Sequence, residues 1–169
     1  MRKKIMEVSI TYERVLNFAS VAHQGQKRKY TNEDYITHPI AVAKLVHERY
    51  EDDNMTSAAL LHDVLEDTLV THSELRAFLH KVFSVESAED ILSLVVELTD
   101  VYTKEAFPHY NRKQRKDFEA LRLAYASLRA KQIKKADIQH NSESILEHDP
   151  KFAKVFLAEK DHLMSYMFN

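Results

Sequence analysis

Apolar residues recur at three- and four-residue spacing over most of this chain, the period of a helix with one buried face. From about residue 8 to 23 the apolar set is Val8, Tyr12, Val15, Leu16, Phe18, Ala19 and Ala22. Residues 24–37 break that period: they are polar and basic, hold Gly25, and read as a loop. His38-Pro39 opens the next helix, to about Tyr50, with proline in the first turn where its missing N–H costs nothing. Asn54 is the expected cap of a helix over roughly 55–66. Thr71-His72-Ser73-Glu74 is a capping-box pattern that starts a helix to about Val82. Ser87 to Thr99 is periodic again, with Ile91, Leu92, Leu94, Val95 and Val96 as its apolar set. Residues 100–110, with Pro108 and several aromatics, read as a loop. A long helical region runs from Asn111 to about Leu146, with a break expected near Ala130, and Asp149-Pro150 opens a last helix to about Met167. Phe118, Tyr125, Phe152, Phe156 and Tyr166 fall at helical spacings and are expected in the core.

Composition supports the pattern. One glycine and three prolines in 169 residues are too few turn formers for a strand-rich fold. An all-α bundle of about seven or more helices in one domain is the expectation. The formal net charge of −2 gives no electrostatic argument for nucleic acid or a membrane surface as a bulk partner. The absence of cysteine excludes disulfides and thiolate metal sites. No apolar segment follows the charged N-terminus and no run reaches the ~18 apolar residues of a membrane span. A soluble, cytoplasmic protein is expected.

Chemistry enters at His62-Asp63, within Ala58-Ala59-Leu60-Leu61-His62-Asp63-Val64-Leu65-Glu66-Asp67-Thr68. Adjacent helical residues lie about 100° apart, and Glu66 and Asp67 follow one turn after the pair. On a continuous helix, one face thus offers an imidazole and carboxylates that repel one another unless a cation joins them. His38 at a loop-to-helix junction and Asp137 on the long C-terminal helical region are candidate partners. A mixed nitrogen and oxygen set suits manganese, iron or zinc better than calcium.

His38, His62-Asp63 and Asp137 resemble the H…HD…D ligand pattern of the HD-domain metal phosphohydrolases. Four blocks extend the likeness: Ala22–Lys29 (AHxGQxRK), Tyr35–Pro39 (YIxHP), Ala58–Thr68 (AALLHDVxEDT) and Lys134–Asn141 (KxADxxxN). In that order they resemble the RelA/SpoT-type hydrolase domain, and the chain looks like a small alarmone hydrolase. The resemblance implies one HD-type domain over 1–169, with a motif-bearing core at about 8–147 and a C-terminal helix at about 150–167. It implies one Mn²⁺, with Fe²⁺ or Zn²⁺ as alternatives, held by His38, His62, Asp63 and Asp137. The implied reaction removes the 3′-diphosphate of guanosine tetra- or pentaphosphate as pyrophosphate, leaving GDP or GTP. Glu66 and Asp67 are implied to activate and orient the attacking water. Arg28, Lys29, Asn141 and Ser144 are implied nucleotide contacts. No synthetase half is expected, since the chain ends soon after the matched blocks.

The chain departs from the family pattern at two places. Lys135 stands where relatives carry leucine, and Glu143 stands where they often carry arginine. Lys104, Arg112, Lys113, Arg115 and Lys116 are basic residues that compensate or, as the plainer reading has it, form a solvated helix start. The departures keep two alternatives open: an HD-type phosphatase acting on another phosphorylated nucleotide or NADPH, and a module that binds alarmone without turnover. Among other candidates, His23 is expected to support its loop, His140 to orient substrate or back a ligand, and Tyr35 to pack against the nucleotide or, as the preferred reading, on the core. His47, His72, His80, His109, His148 and His162 are expected at the surface.

Overall fold

The computed structural model describes residues 2–168, with side chains described from residue 11 onward, so Val8 lies outside the described side chains. Among the described residues there are nine helices and no strand. They are α1 (Arg2–Ala22), α2 (Thr37–Tyr50), α3 (Asp53–Leu61), α4 (Val64–Asp67), α5 (His72–Val82), α6 (Val85–Leu98), α7 (Arg112–Ala124), α8 (Leu128–His148) and α9 (Pro150–Phe168). None is long and apolar enough to cross a membrane.

Polar residues at the helix starts explain most of the boundaries. Thr71 and Glu74 close the expected capping box on α5. Asn111 and Gln114 close a second one on α7. Ser84, Ser127 and Asp149 each accept an amide from the first turn of α6, α8 and α9. Ser127 also corrects the expected break near Ala130: the chain leaves the helix at Tyr125 and re-enters at Leu128. Two further corrections concern α3. Its cap is Asp52, whose side chain accepts Met55 N–H at 2.9 Å, whereas Asn54 donates to Asp90 on α6 at 2.8 Å. The helix also stops at Leu61 instead of running to residue 66.

α3 is buried from Met55 to Leu61 and packs on α1, α2, α6 and α8. Val15, Ala19, Val42, Val46, Leu75, Leu79, Ile91, Val95 and Ile133 complete this main core. A smaller core of Ala120, Leu123, Ile138, Leu163 and Met167 joins α7, α8 and α9. α8 feeds both cores. The aromatic expectation needs correcting here: Tyr125 is 87% exposed, and Phe118 and Tyr166 also keep much of their surface. Tyr125 falls just past the end of α7, and Phe118 packs on Tyr102 and Tyr110 of the α6–α7 loop instead of the core.

Candidate metal centre

Three parts of the chain converge at one end of α3. The first is the start of α2, reached through a small hairpin over residues 23–37. Gly25 turns it in the left-handed region at φ 82°. Arg28 N–H donates to Glu33 O, and Tyr35 N–H donates to Gln26 O. Buried His23 meets Gln26 Oε1 at 2.8 Å, and Gln26 Nε2 donates to the Asp67 carbonyl, so the hairpin is fastened to α4. The second part is the α3–α4 junction, where His62 and Asp63 lie between helices. The third is the middle of α8.

The junction is where the helix reading fails. His62 Nδ1 donates to the Ala59 carbonyl at 2.7 Å, and Asp63 becomes the cap of α4 at φ −97° and ψ −3°. Breaking the helix there turns His62 inward and gives Glu66 and Asp67 their own short helix, both amides bonding to Asp63 O.

Nitrogen and oxygen atoms of His38, His62 and Asp137 lie within 4.8 Å of one another, all on buried side chains. Asp137 Oδ1 is 3.1 Å from His38 Nε2 and 3.8 Å from His62 Nε2. Asp63 Oδ2 joins at 3.0 Å from His62 Nε2 and 3.6 Å from His38 Nε2. Yet His62 Nε2, buried and with Nδ1 already used, makes no hydrogen bond. Donor atoms that converge without bonding one another are the arrangement a cation satisfies. The set therefore fits a divalent metal with nitrogen and oxygen preference.

The electrostatics agree. Burial pulls the His62 imidazole down, but Asp63 and then Asp137 outweigh it and hold its pKa well above the usual histidine value. Burial raises Asp63, and His62 more than reverses this, leaving it at about 2. Asp137, also opposed by burial, is held well below the carboxylate range by Lys134, His38 and His62. Lys134 Nζ sits 3.0 Å from Asp137 Oδ2, on the side away from the histidines.

A second layer orients these groups. His38 Nδ1 and His140 Nδ1 are 2.8 Å apart, so one must donate to the other. For His38 to present a bare Nε2, its Nδ1 carries the hydrogen and His140 accepts. The Tyr35 hydroxyl lies 2.7 Å from Asp63 Oδ2 and 3.2 Å from Asp67 Oδ2. Core packing is thus not its role, which corrects the expectation. Its ring meets His23 and His38 instead of the apolar core. Asn141 Nδ2 donates to Asp137 Oδ1 at 2.7 Å, and Arg28 donates to Asn141 Oδ1 at 3.1 Å.

Of the expected site residues, the structure gathers His38, His62, Asp63, Asp137, Glu66, Asp67, Asn141 and Arg28. Glu66 is raised to about 7, first by burial and then by Asp100. Asp67 is raised by burial and by Asp63. Lys29 points elsewhere, over the Tyr30 and Phe152 rings at 4.8 and 5.8 Å. Ser144 shows only its carbonyl engaged, by His148 Nδ1. Glu143 is exposed and accepts from Gln139, and Lys135 lies over Phe168, so neither departure faces the cluster. Arg112, Lys113 and Lys116 pair with Glu159, Asp117 and Asp100, and Arg115 with the Tyr110 carbonyl. Two residues act here that had no such role in the sequence, Tyr35 and Lys134, while His140 takes one of its two expected roles by backing His38. Each lies three residues from a proposed ligand, and that spacing is the signal that could have found them.

Comparison with known proteins gives consistent results. The HD domain family profile matches residues 15–162. A probable guanosine-3′,5′-bis(diphosphate) 3′-pyrophosphohydrolase of Synechocystis is 32% identical over 133 residues, 78% of this chain and 16% of that protein. The bifunctional (p)ppGpp synthase/hydrolase SpoT of Escherichia coli K12 is 35% identical over 125 residues, 73% of this chain and 16% of that protein. The chain therefore spans about one sixth of the length of these curated relatives. A solved structure of a metazoan orthologue of SpoT, described as hydrolysing ppGpp, superposes with a TM-score of 0.76 at 25% identity. That match covers 94% of this chain and 86% of the other.

Proposed function

The chain belongs to the HD domain family, and we propose that it hydrolyses the 3′-diphosphate of guanosine 3′,5′-bis(diphosphate) or its pentaphosphate counterpart. Pyrophosphate leaves, with GDP or GTP as the other product. The observation that carries this reading is the convergence of His38, His62, Asp63 and Asp137 beside Glu66 and Asp67. The likeness to a SpoT orthologue described as hydrolysing ppGpp supports the choice of substrate. The 1–169 segment is read as one HD-type hydrolase unit.

His38 and His62 through Nε2, and Asp63 and Asp137 through a carboxylate oxygen, are the proposed ligands of one Mn²⁺. A divalent cation there supplies Lewis acidity toward a phosphoryl oxygen and lowers the pKa of a bound water. Glu66, raised toward neutrality, is suited to accept the proton of the attacking water. Asp67, sharing the Tyr35 hydroxyl with Asp63, holds the acceptor side of that water's path. Water adds to the phosphorus bonded to O3′, the P–O3′ bond breaks, and O3′ takes up a proton. Arg28, with Asn141 fixing its guanidinium, meets the polyphosphate charge at the mouth of the site. Lys29 and Ser144 remain proposed nucleotide contacts that a bound substrate must draw in.

Product identification with guanosine tetraphosphate tests this. Manganese-loaded protein should release pyrophosphate and GDP. Asp63→Ala should lose both metal and activity. Glu66→Gln should keep its metal and lose roughly 10²- to 10⁴-fold in turnover, the usual weight of a positioned general base. Folded, metal-loaded protein that releases no pyrophosphate overturns the reading.

A further inference from the structure

The junction between α6 and α7 holds three consecutive backbone amides on two carboxylates. Asp100 N–H donates to Glu66 Oε2 at 3.1 Å. Val101 N–H and Tyr102 N–H both donate to Glu119 Oε1, each at 2.6 Å. Glu119 is only 4% exposed. Its other oxygen accepts from Arg122 Nε at 2.9 Å, one turn along α7. Arg122 in turn donates to the carbonyls of Glu97 at 2.9 Å and Thr99 at 3.2 Å, which close the end of α6. Glu119 thus binds the donors of the junction, and Arg122 binds its acceptors.

A buried carboxylate is costly unless donors meet it, and here three do, two on Oε1 and one on Oε2. An apolar side chain facing the same backbone would leave two buried amides without partners. The arrangement also has a consequence for Glu66. Among the described residues, the Asp100 amide is the only hydrogen-bond donor recorded on the Glu66 carboxylate. Glu66 stands on the one-turn helix α4, and this amide is the hydrogen bond that fixes where its carboxylate points. The Asp100 amide shares its rigid peptide plane with the Thr99 carbonyl, which Arg122 holds, and the two amides that follow it are held by Glu119.

We infer that Glu119, held by Arg122, is a positioning residue that aims the Glu66 carboxylate through the Asp100–Tyr102 backbone. The inference rests on the proposed role of Glu66 but assigns a function to two α7 residues that lie outside the metal cluster. It makes α7, a helix outside the ligand set, part of the catalytic geometry.

The test pairs Glu119→Gln with Glu66→Gln. In Glu119→Gln, the amide nitrogen of the new side chain faces the guanidinium or the backbone donors, and the clasp loosens. Turnover should fall about tenfold to a hundredfold, the effect of a small misplacement of a reacting group, with KM and bound manganese unchanged. In a Glu66→Gln background the same change should cost nothing more, because the group it aims is gone. An equal loss in both backgrounds, or no loss in either, overturns the inference and leaves Glu119 a stability residue. Exchange of the Asp100 amide, read by NMR, needs no substrate. It should speed up in Glu119→Gln, and unchanged protection also overturns the inference. Wild type that turns over no guanosine tetraphosphate but shows the exchange difference would fail the functional reading and keep the clasp. Where Glu119→Gln does not fold, Arg122→Lys keeps the charge, loses the fork, and carries the same expectations.

Discussion

Glu66 and Asp63 are carboxylates three positions apart, yet their surroundings drive them in opposite directions. Asp63 is held at about 2 by His62 against the push of burial, while Glu66 is raised to about 7 by burial and Asp100. One is thereby kept as an anion for a cation, and the other is poised to change protonation near neutrality. Turnover should rise as pH climbs through the Glu66 value, and that limb should be missing in Glu66→Gln. The sign for stability is the reverse. A carboxyl raised on folding costs stability above its ordinary pKa, because the unfolded chain ionises first. Glu66→Gln should then melt slightly above wild type when the metal-free proteins are compared well above pH 7, and equally below the ordinary carboxylate range. The gain is small because the side chain keeps an exposed face and water damps the effect. A pH–rate profile and melting curves at the two extremes check both halves; an acid limb that persists in Glu66→Gln removes Glu66 as the base.

At the scale of elements, what the sequence displays depends on whether the cause is local. The Thr71–Glu74 box, the Asp149 cap and the Pro39 first turn follow from a few neighbouring residues, and they read correctly. The stop at His62-Asp63 does not. It brings His62 to His38 and Asp137, residues far away in the chain, so no neighbouring residue announces it. Tyr35 was hidden for the same reason: an aromatic beside an apolar helix start reads as core until the carboxylates opposite it are known. The proposed ligands were legible because their types and order form a pattern; the hydrogen bonds behind them were not. Asp52 is an intermediate case. It caps α3 and also accepts Arg129 from α8 at 3.0 Å, while Arg129 pairs with Asp90 of α6. Asp52→Ala should destabilise by about 1 kcal/mol, the weight of a lost cap, since the ion pair is partly exposed and adds little. Urea unfolding measures it. A loss several times larger would mean that the Arg129 link, not the cap, holds α3 to α8.

Across the whole molecule, the cluster is assembled only by folding: His38 begins α2, His62 and Asp63 sit after α3, and Asp137 rides on α8, where the two cores meet. No unfolded chain presents that set, so a cation that binds there stabilises the fold by mass action. The gain is about 2.7 kcal/mol at a hundredfold excess over Kd. Without the cation, protons stand in for it. His62, raised on folding by Asp63 and Asp137 against the pull of burial, contributes stability that is complete below the usual histidine range. That contribution is lost as pH rises through the raised value. Asp63, depressed to about 2 by His62, contributes stability present above the usual aspartate range and lost as pH falls toward that value. Metal binding must displace the His62 proton, so it becomes more favourable as pH rises. The rise in Tm on adding Mn²⁺ should therefore grow with pH across the neutral range, reverse with EDTA, and vanish in Asp63→Ala. A shift independent of pH, or one that survives Asp63→Ala, would place the bound cation away from these four side chains.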